Sequence, residues 1–119
     1  MASELIRELE GAGGVDVAGA LERMGGSEEL YQTILGMFLT DDNYEKLVDA
    51  MANGDEEAAL GFAHTIKGMC GNLGLMNLFH YSDDMVETFR KNRNCDVNLL
   101  MTQITEEHRK ITEILQKYI

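Results

Sequence analysis

The chain is predicted to be all-α: an up-and-down antiparallel four-helix bundle with short N-terminal helices packed on it. Three observations carry that expectation. There is no Pro and no Trp, so the turn prolines and strand aromatics of a β-sandwich are missing. Apolar residues make up 45% of the 119, with 8 Met among them, and recur at helical spacing over long stretches. Short turns rich in Gly, Asn and Asp separate those stretches, as between antiparallel neighbours in a bundle. The length suits one domain with a real core, so residues 1–119 read as one unit: short helices over 1–26 and the bundle over 27–119.

Taken in order, residues 3–10 read as a short helix with Ser3 as its cap and Leu5, Ile6 and Leu9 on one side, broken by Gly-Ala-Gly-Gly. Asp16 is placed to cap a second helix, with Val17, Ala20, Leu21 and Met24 as its apolar stripe and Gly25 and Gly26 as its stop. Ser27 opens a long pattern in which Leu30, Ile34, Phe38, Leu47, Val48 and Met51 recur until Asn53-Gly54-Asp55. The run Thr40-Asp-Asp-Asn-Tyr44 is the point at which that pattern kinks or divides. Asp55 caps the next helix, which runs to about Asn72; another starts near Asn77 and reaches about Lys91. After the turn Asn92-Arg-Asn-Cys-Asp96, Asp96 caps the last helix. Its stripe is Val97, Leu100, Met101, Ile104, His108, Ile111, Ile114 and Leu115.

Charge narrows the function. With 21 acidic against 10 basic residues the formal net charge is −11, a field that repels nucleic-acid backbones and anionic membranes. Neither is expected as a partner. The amphipathic N-terminus has no apolar signal core and no stretch is long enough to span a bilayer, so a cytoplasmic location is expected. Cys70 and Cys95 are expected to be free thiols, with Cys70 a small buried hydrophobe. No Cys-x-x-Cys, His-x-x-x-His or Glu-x-x-His pair stands at ligand spacing, so no metal site is expected. P-loop and kinase motifs are absent too. The acidic runs Thr40-Asp-Asp, Gly54-Asp-Glu-Glu and Ser82-Asp-Asp read as solvated faces.

The chemistry concentrates on Phe62-Ala-His-Thr-Ile-Lys-Gly-Met-Cys-Gly-Asn-Leu-Gly74. At 100° per residue, Ala59, Phe62, Ala63, Met69, Cys70 and Leu73 fall within about 60° of Ile66 and form the inner arc. His64 falls about 160° away, with Glu57, Gly61, Gly68 and Gly71 within about 60° of it. The histidine therefore faces solvent along a strip largely stripped of side chains, although each helical glycine costs about 0.5–1 kcal/mol relative to alanine. That cost has a use as clearance for a second body approaching the ring. Lys67, three positions on, lies within reach of a group attached to the imidazole. A neutral imidazole is a competent nucleophile, and a neighbouring ammonium stabilises an arriving anion such as a phosphoryl group. His80 and His108 lack such company: His80 is expected near a helix surface, and His108 hydrogen-bonded on the inner side of the last helix.

The segment Ala63-His-Thr-Ile-Lys-Gly-Met-Cys-Gly-Asn-Leu-Gly74 resembles the signature of histidine-containing phosphotransfer (HPt) domains, in which a helix carries His-x-x-Lys-Gly, a small residue and a later glycine. The likeness extends over most of residues 15–91. It implies that His64 accepts a phosphoryl group from the aspartyl phosphate of a receiver domain and passes it to another receiver. Lys67 would stabilise the phosphoryl oxygens, and Gly68 and Gly71 would admit the receiver. Gly61, Thr65, Met69 and Arg90 complete the implied partner surface, with Arg90 matching a basic position of some members. An ungapped reading puts Val86 where several members carry a glutamine. The resemblance further implies a phosphoryl carrier, not an enzyme with kinase activity. It would have no cofactor of its own, since Mg²⁺ comes with the receiver, and its partners would be response-regulator receivers and a hybrid sensor histidine kinase. Two alternatives belong to other classes. One is a receiver-docking adaptor that is never phosphorylated, against which an intact His64 and Lys67 argue. The other is a metal- or ligand-binding bundle, against which the missing inward ligand pairs argue.

Overall fold

The computed structural model describes residues 3–119, which form seven helices: α1 (Glu4–Gly11), α2 (Val17–Arg23), α3 (Glu28–Thr40), α4 (Asn43–Ala52), α5 (Glu56–Leu73), α6 (Met76–Phe89) and α7 (Val97–Tyr118). The fold is all-helical, as predicted. Most helix starts follow directly from side-chain caps. Ser3, Asp16, Ser27, Asp55 and Asp96 each accept a hydrogen bond from a backbone N–H two or three residues on, meeting donors the helix itself leaves unpaired.

The long pattern from Ser27 divides in two. Asp41 adopts an extended conformation (φ −69°, ψ 141°) and its carboxylate accepts the Asn43 N–H at 2.9 Å, so a local side-chain bond replaces the helical ladder and α4 begins anew. Of the kink and the division that the sequence leaves open at Thr40–Tyr44, it is the division that forms, so residues 27–119 hold five helices. The inner face of α3 also differs from the expected stripe. Tyr31, Leu35 and Phe38 are buried, Ile34 is half-buried, and Leu30 is 44% exposed; on α4, Leu47 and Ala50 are buried while Val48 is 39% exposed. Two apolar stripes one residue apart both fit a helical period, and the buried one carries the larger aromatic.

α5 is the central element, packed against α4 and α6, with α6 continuing onto α7; α3 lies on α5 and α7, and α1 on α7. The core runs through Leu35, Leu47, Ala63, Met85, Ile104 and Ile111, all fully or almost fully buried.

One corner receives particular reinforcement. α5 ends at Gly74, which is left-handed (φ 74°), and a Cβ there would lie 2.3 Å from the Asp16 carbonyl oxygen. The segment before α2 pairs with this corner as a single antiparallel bridge between Val15 and Leu75. The Asp16 N–H donates to the Gly74 carbonyl at 2.7 Å and the Met76 N–H to the Gly14 carbonyl at 2.8 Å. Arg23 donates to the carbonyls of Gly71 (2.9 Å) and Asn72 (3.2 Å), and the fully buried Tyr31 hydroxyl to that of Leu73 (2.8 Å). Carbonyls at the end of α5 are thereby satisfied from α2 and α3.

Candidate functional site

α5 carries the site. Its first turn holds Glu56 and Glu57, favourable at the positive end of a helix. Ala59, Ala63, Ile66, Cys70 and Leu73 are buried, with Phe62 and Met69 half-buried at the edges of that face. His64 is exposed on the opposite side, together with Gly61 and Gly68. A Cβ at either glycine would meet nothing within 4 Å, so the surface beside the imidazole is open. The exposed Thr65 turns its hydroxyl back onto the helix, donating to the Gly61 carbonyl at 3.2 Å.

Lys67 is not a free ammonium. Its Nζ lies 2.9 Å from Oδ1 of Asp83 on α6, with the two side chains 26% and 20% exposed. The other Asp83 oxygen takes Arg93 Nη1 at 2.8 Å, and the same nitrogen reaches Asp84 Oδ1 at 2.9 Å. The hydrogen bonds from Lys67 and then Arg93 hold the Asp83 carboxyl below the usual carboxylate range. A lysine has three N–H donors, so the bond to Asp83 leaves two for a ligand. The expectation that Ser82-Asp-Asp is a solvated face is overturned here: Ser82 is fully buried and Asp83 is half-buried in an ion-pair network. Asp83 and Arg93 were not foreseen as site residues. No spacing rule pairs a lysine on one helix with a carboxylate on the next, and the only signal was two acids in sequence beside a turn carrying an arginine.

The remaining predicted residues disperse. Gly71 does not share the open strip; a Cβ there would lie 3.1 Å from the Phe79 ring of α6, so its lack of a side chain serves helix packing. Met69 lines a groove with Ile34, Met37 and Phe38 on the α3 side. Arg90 caps α6, exposed and paired with Glu87 at 3.2 Å. Val86 is fully buried and offers no polar group. His80 is exposed and meets Phe79 edge-on, with ring centroids 5.3 Å apart. Among the described residues His108 meets rings and no hydrogen-bond partner: it stacks on Tyr44 at 3.9 Å and lies 5.8 Å from Phe38. Cys70 and Cys95 are free, and burial pushes the Cys70 thiol up to about 12, which leaves it inert. Among the described residues no three His, Cys, Asp or Glu side chains gather closely enough to hold a metal ion. No helix among them is long and apolar enough to cross a membrane.

An all-helical fold that presents one histidine on an open helix face, with a lysine one turn on, is that of a histidine-bearing bundle. The family comparison makes the class specific. The Hpt domain model matches residues 29–116, from the first turn of α3 almost to the end of α7, and the chain belongs to the Hpt domain family. Domains of this family perform histidine phosphotransfer in phosphorelays; they are phosphocarrier modules and not autonomous kinases. Searches of the curated proteins and of the solved structures returned no match.

Proposed function

We propose that this chain is a phosphorelay intermediate in which His64 accepts a phosphoryl group from a receiver-domain aspartyl phosphate and hands it to a second receiver. The observation that carries the reading is the exposed His64 between Gly61 and Gly68, where, beyond the local helix itself, no described residue comes within 4 Å of either Cβ position. In the transfer, the unprotonated ring nitrogen attacks phosphorus while the bond to the aspartyl oxygen breaks. The aspartate leaves as a carboxylate, and the ring keeps its other N–H and carries the positive charge. Return to a second receiver reverses each of these changes. Lys67 lies on the same side of α5 and supplies positive charge to the phosphoryl oxygens, while the divalent cation of the receiver serves the other side of the reaction. The partners on this reading are response-regulator receivers and, upstream, a hybrid sensor kinase.

The test is transfer of label from a phosphorylated receiver, with Mg²⁺, to the wild-type chain and to His64→Gln. Label that is acid-labile, alkali-stable and lost in His64→Gln is the expected result. Binding of receivers with no label on any chain would replace the relay with a docking adaptor.

A further inference from the structure

Resting on His64 as the phosphoryl acceptor, we propose that Asp83 is a positioning residue for transfer: it holds the Lys67 ammonium beside the histidine strip, and Arg93 holds Asp83 in turn. The geometry is a chain of three contacts, Lys67 to Asp83 at 2.9 Å, Asp83 to Arg93 at 2.8 Å and Arg93 to Asp84 at 2.9 Å. It joins α5, α6 and the turn that follows α6.

That turn is built to deliver Arg93. Lys91 is left-handed (φ 69°), the backbone N–H groups of Asn92 and Arg93 both donate to the Glu87 carbonyl, and the Asn92 side chain donates to the Glu87 carboxylate at 2.7 Å. A partly exposed ion pair contributes little to folding, so stability alone is a weak reason for the arrangement. Orientation is a stronger one. A lysine has four rotatable bonds, and an unanchored ammonium must be ordered at the moment the phosphoryl group arrives. Asp83 orders it beforehand and uses one of its three donors. Arg93 takes the opposite carboxylate oxygen, so Asp83 is fixed in direction and its charge is shared.

The test is a double-mutant cycle on transfer from a phosphorylated receiver, with wild type, Asp83→Asn, Lys67→Ala and the double variant. Asp83→Asn is expected to lower the maximal rate roughly tenfold, with the receiver concentration for half-maximal rate unchanged. In the Lys67→Ala background the same change is expected to have no further effect. Asp83→Glu, which keeps the carboxylate, is expected to restore most of the rate. Melting temperatures track folding, and Asp83→Ser replaces Asp83→Asn in the cycle should the amide variant not fold. A folded Asp83→Asn chain that transfers at the wild-type rate, or an equal loss with and without Lys67, would overturn the proposal. A separate readout is the ¹⁵N signal of the Lys67 ammonium, whose proton exchange is expected to quicken in Asp83→Asn. Should the wild type take no label, the acceptor reading fails and the transfer role with it, while the ammonium signal still decides whether Asp83 holds Lys67.

Discussion

The glycines of α5 separate into two kinds when each is asked what a methyl group would meet. At Gly68 it meets open space, so Gly68→Ala removes the helical penalty of glycine and is expected to stabilise the fold by about 0.5–1 kcal/mol. At Gly71 it meets the Phe79 ring at 3.1 Å, and Gly71→Ala is expected to stabilise less than Gly68→Ala or to destabilise. Thermal melts of the two variants check the order. On the proposed function, Gly68→Ala also slows transfer, because its methyl group occupies docking space. The sequence shows both glycines on the same side of the helix as His64 and cannot separate them, since the difference lies in a ring contributed by α6. The same limit hid Asp83. The outward direction of His64 and the place of Lys67 one turn on were legible because both lie on one helix, where spacing fixes direction; Asp83 and Arg93, which pair with Lys67 and with each other, lie on another helix and a turn, where only the packed fold brings them close.

Helix ends were the most legible elements, because a cap is a local bond between residues two or three apart. Asp16, Ser27, Asp55 and Asp96 each cap where the sequence placed them. The division at Asp41 was legible as a position but not as an outcome, since a kink and a break begin from the same residues. The corner it makes has a further property, for it sets Phe38 and Tyr44 around His108 of α7. Burial pushes the His108 imidazole down from its ordinary value, with Glu45 and Asp41 pulling the other way. Below about pH 6.5 the unfolded chain therefore takes up a proton that the folded chain resists. Stability from this site is complete above that pH and falls as the solution is acidified toward the lower folded value. His108→Phe keeps a ring against Tyr44 and removes the titration. It is expected to flatten the dependence of melting temperature on pH between about 5 and 7 relative to wild type, a comparison thermal melts at several pH values make directly.

At the scale of the whole molecule, the N-terminal segment braces the corner that sets α5 against α6, and with it the registration of Lys67 against Asp83. Gly74 is the tightest point of that brace. Gly74→Ala combines a left-handed backbone with a Cβ 2.3 Å from the Asp16 carbonyl oxygen, and is expected to cost at least about 2 kcal/mol, read from chemical denaturation. The sequence marked these first residues as short helices but could not say where they dock, because their partners are distant along the chain. Arg23 reaches across 49 residues to Asn72, and Lys110 across 98 to the Ala12 carbonyl. Bonds of that span close large loops, so in folding they are expected to form after the local helices and their nearest packing. In the native state they are expected to open as one unit. The amides of Asp16 and Met76, though separated in sequence, both donate within that corner, and are expected to exchange their hydrogens together, so that their common rate would count how often the brace opens.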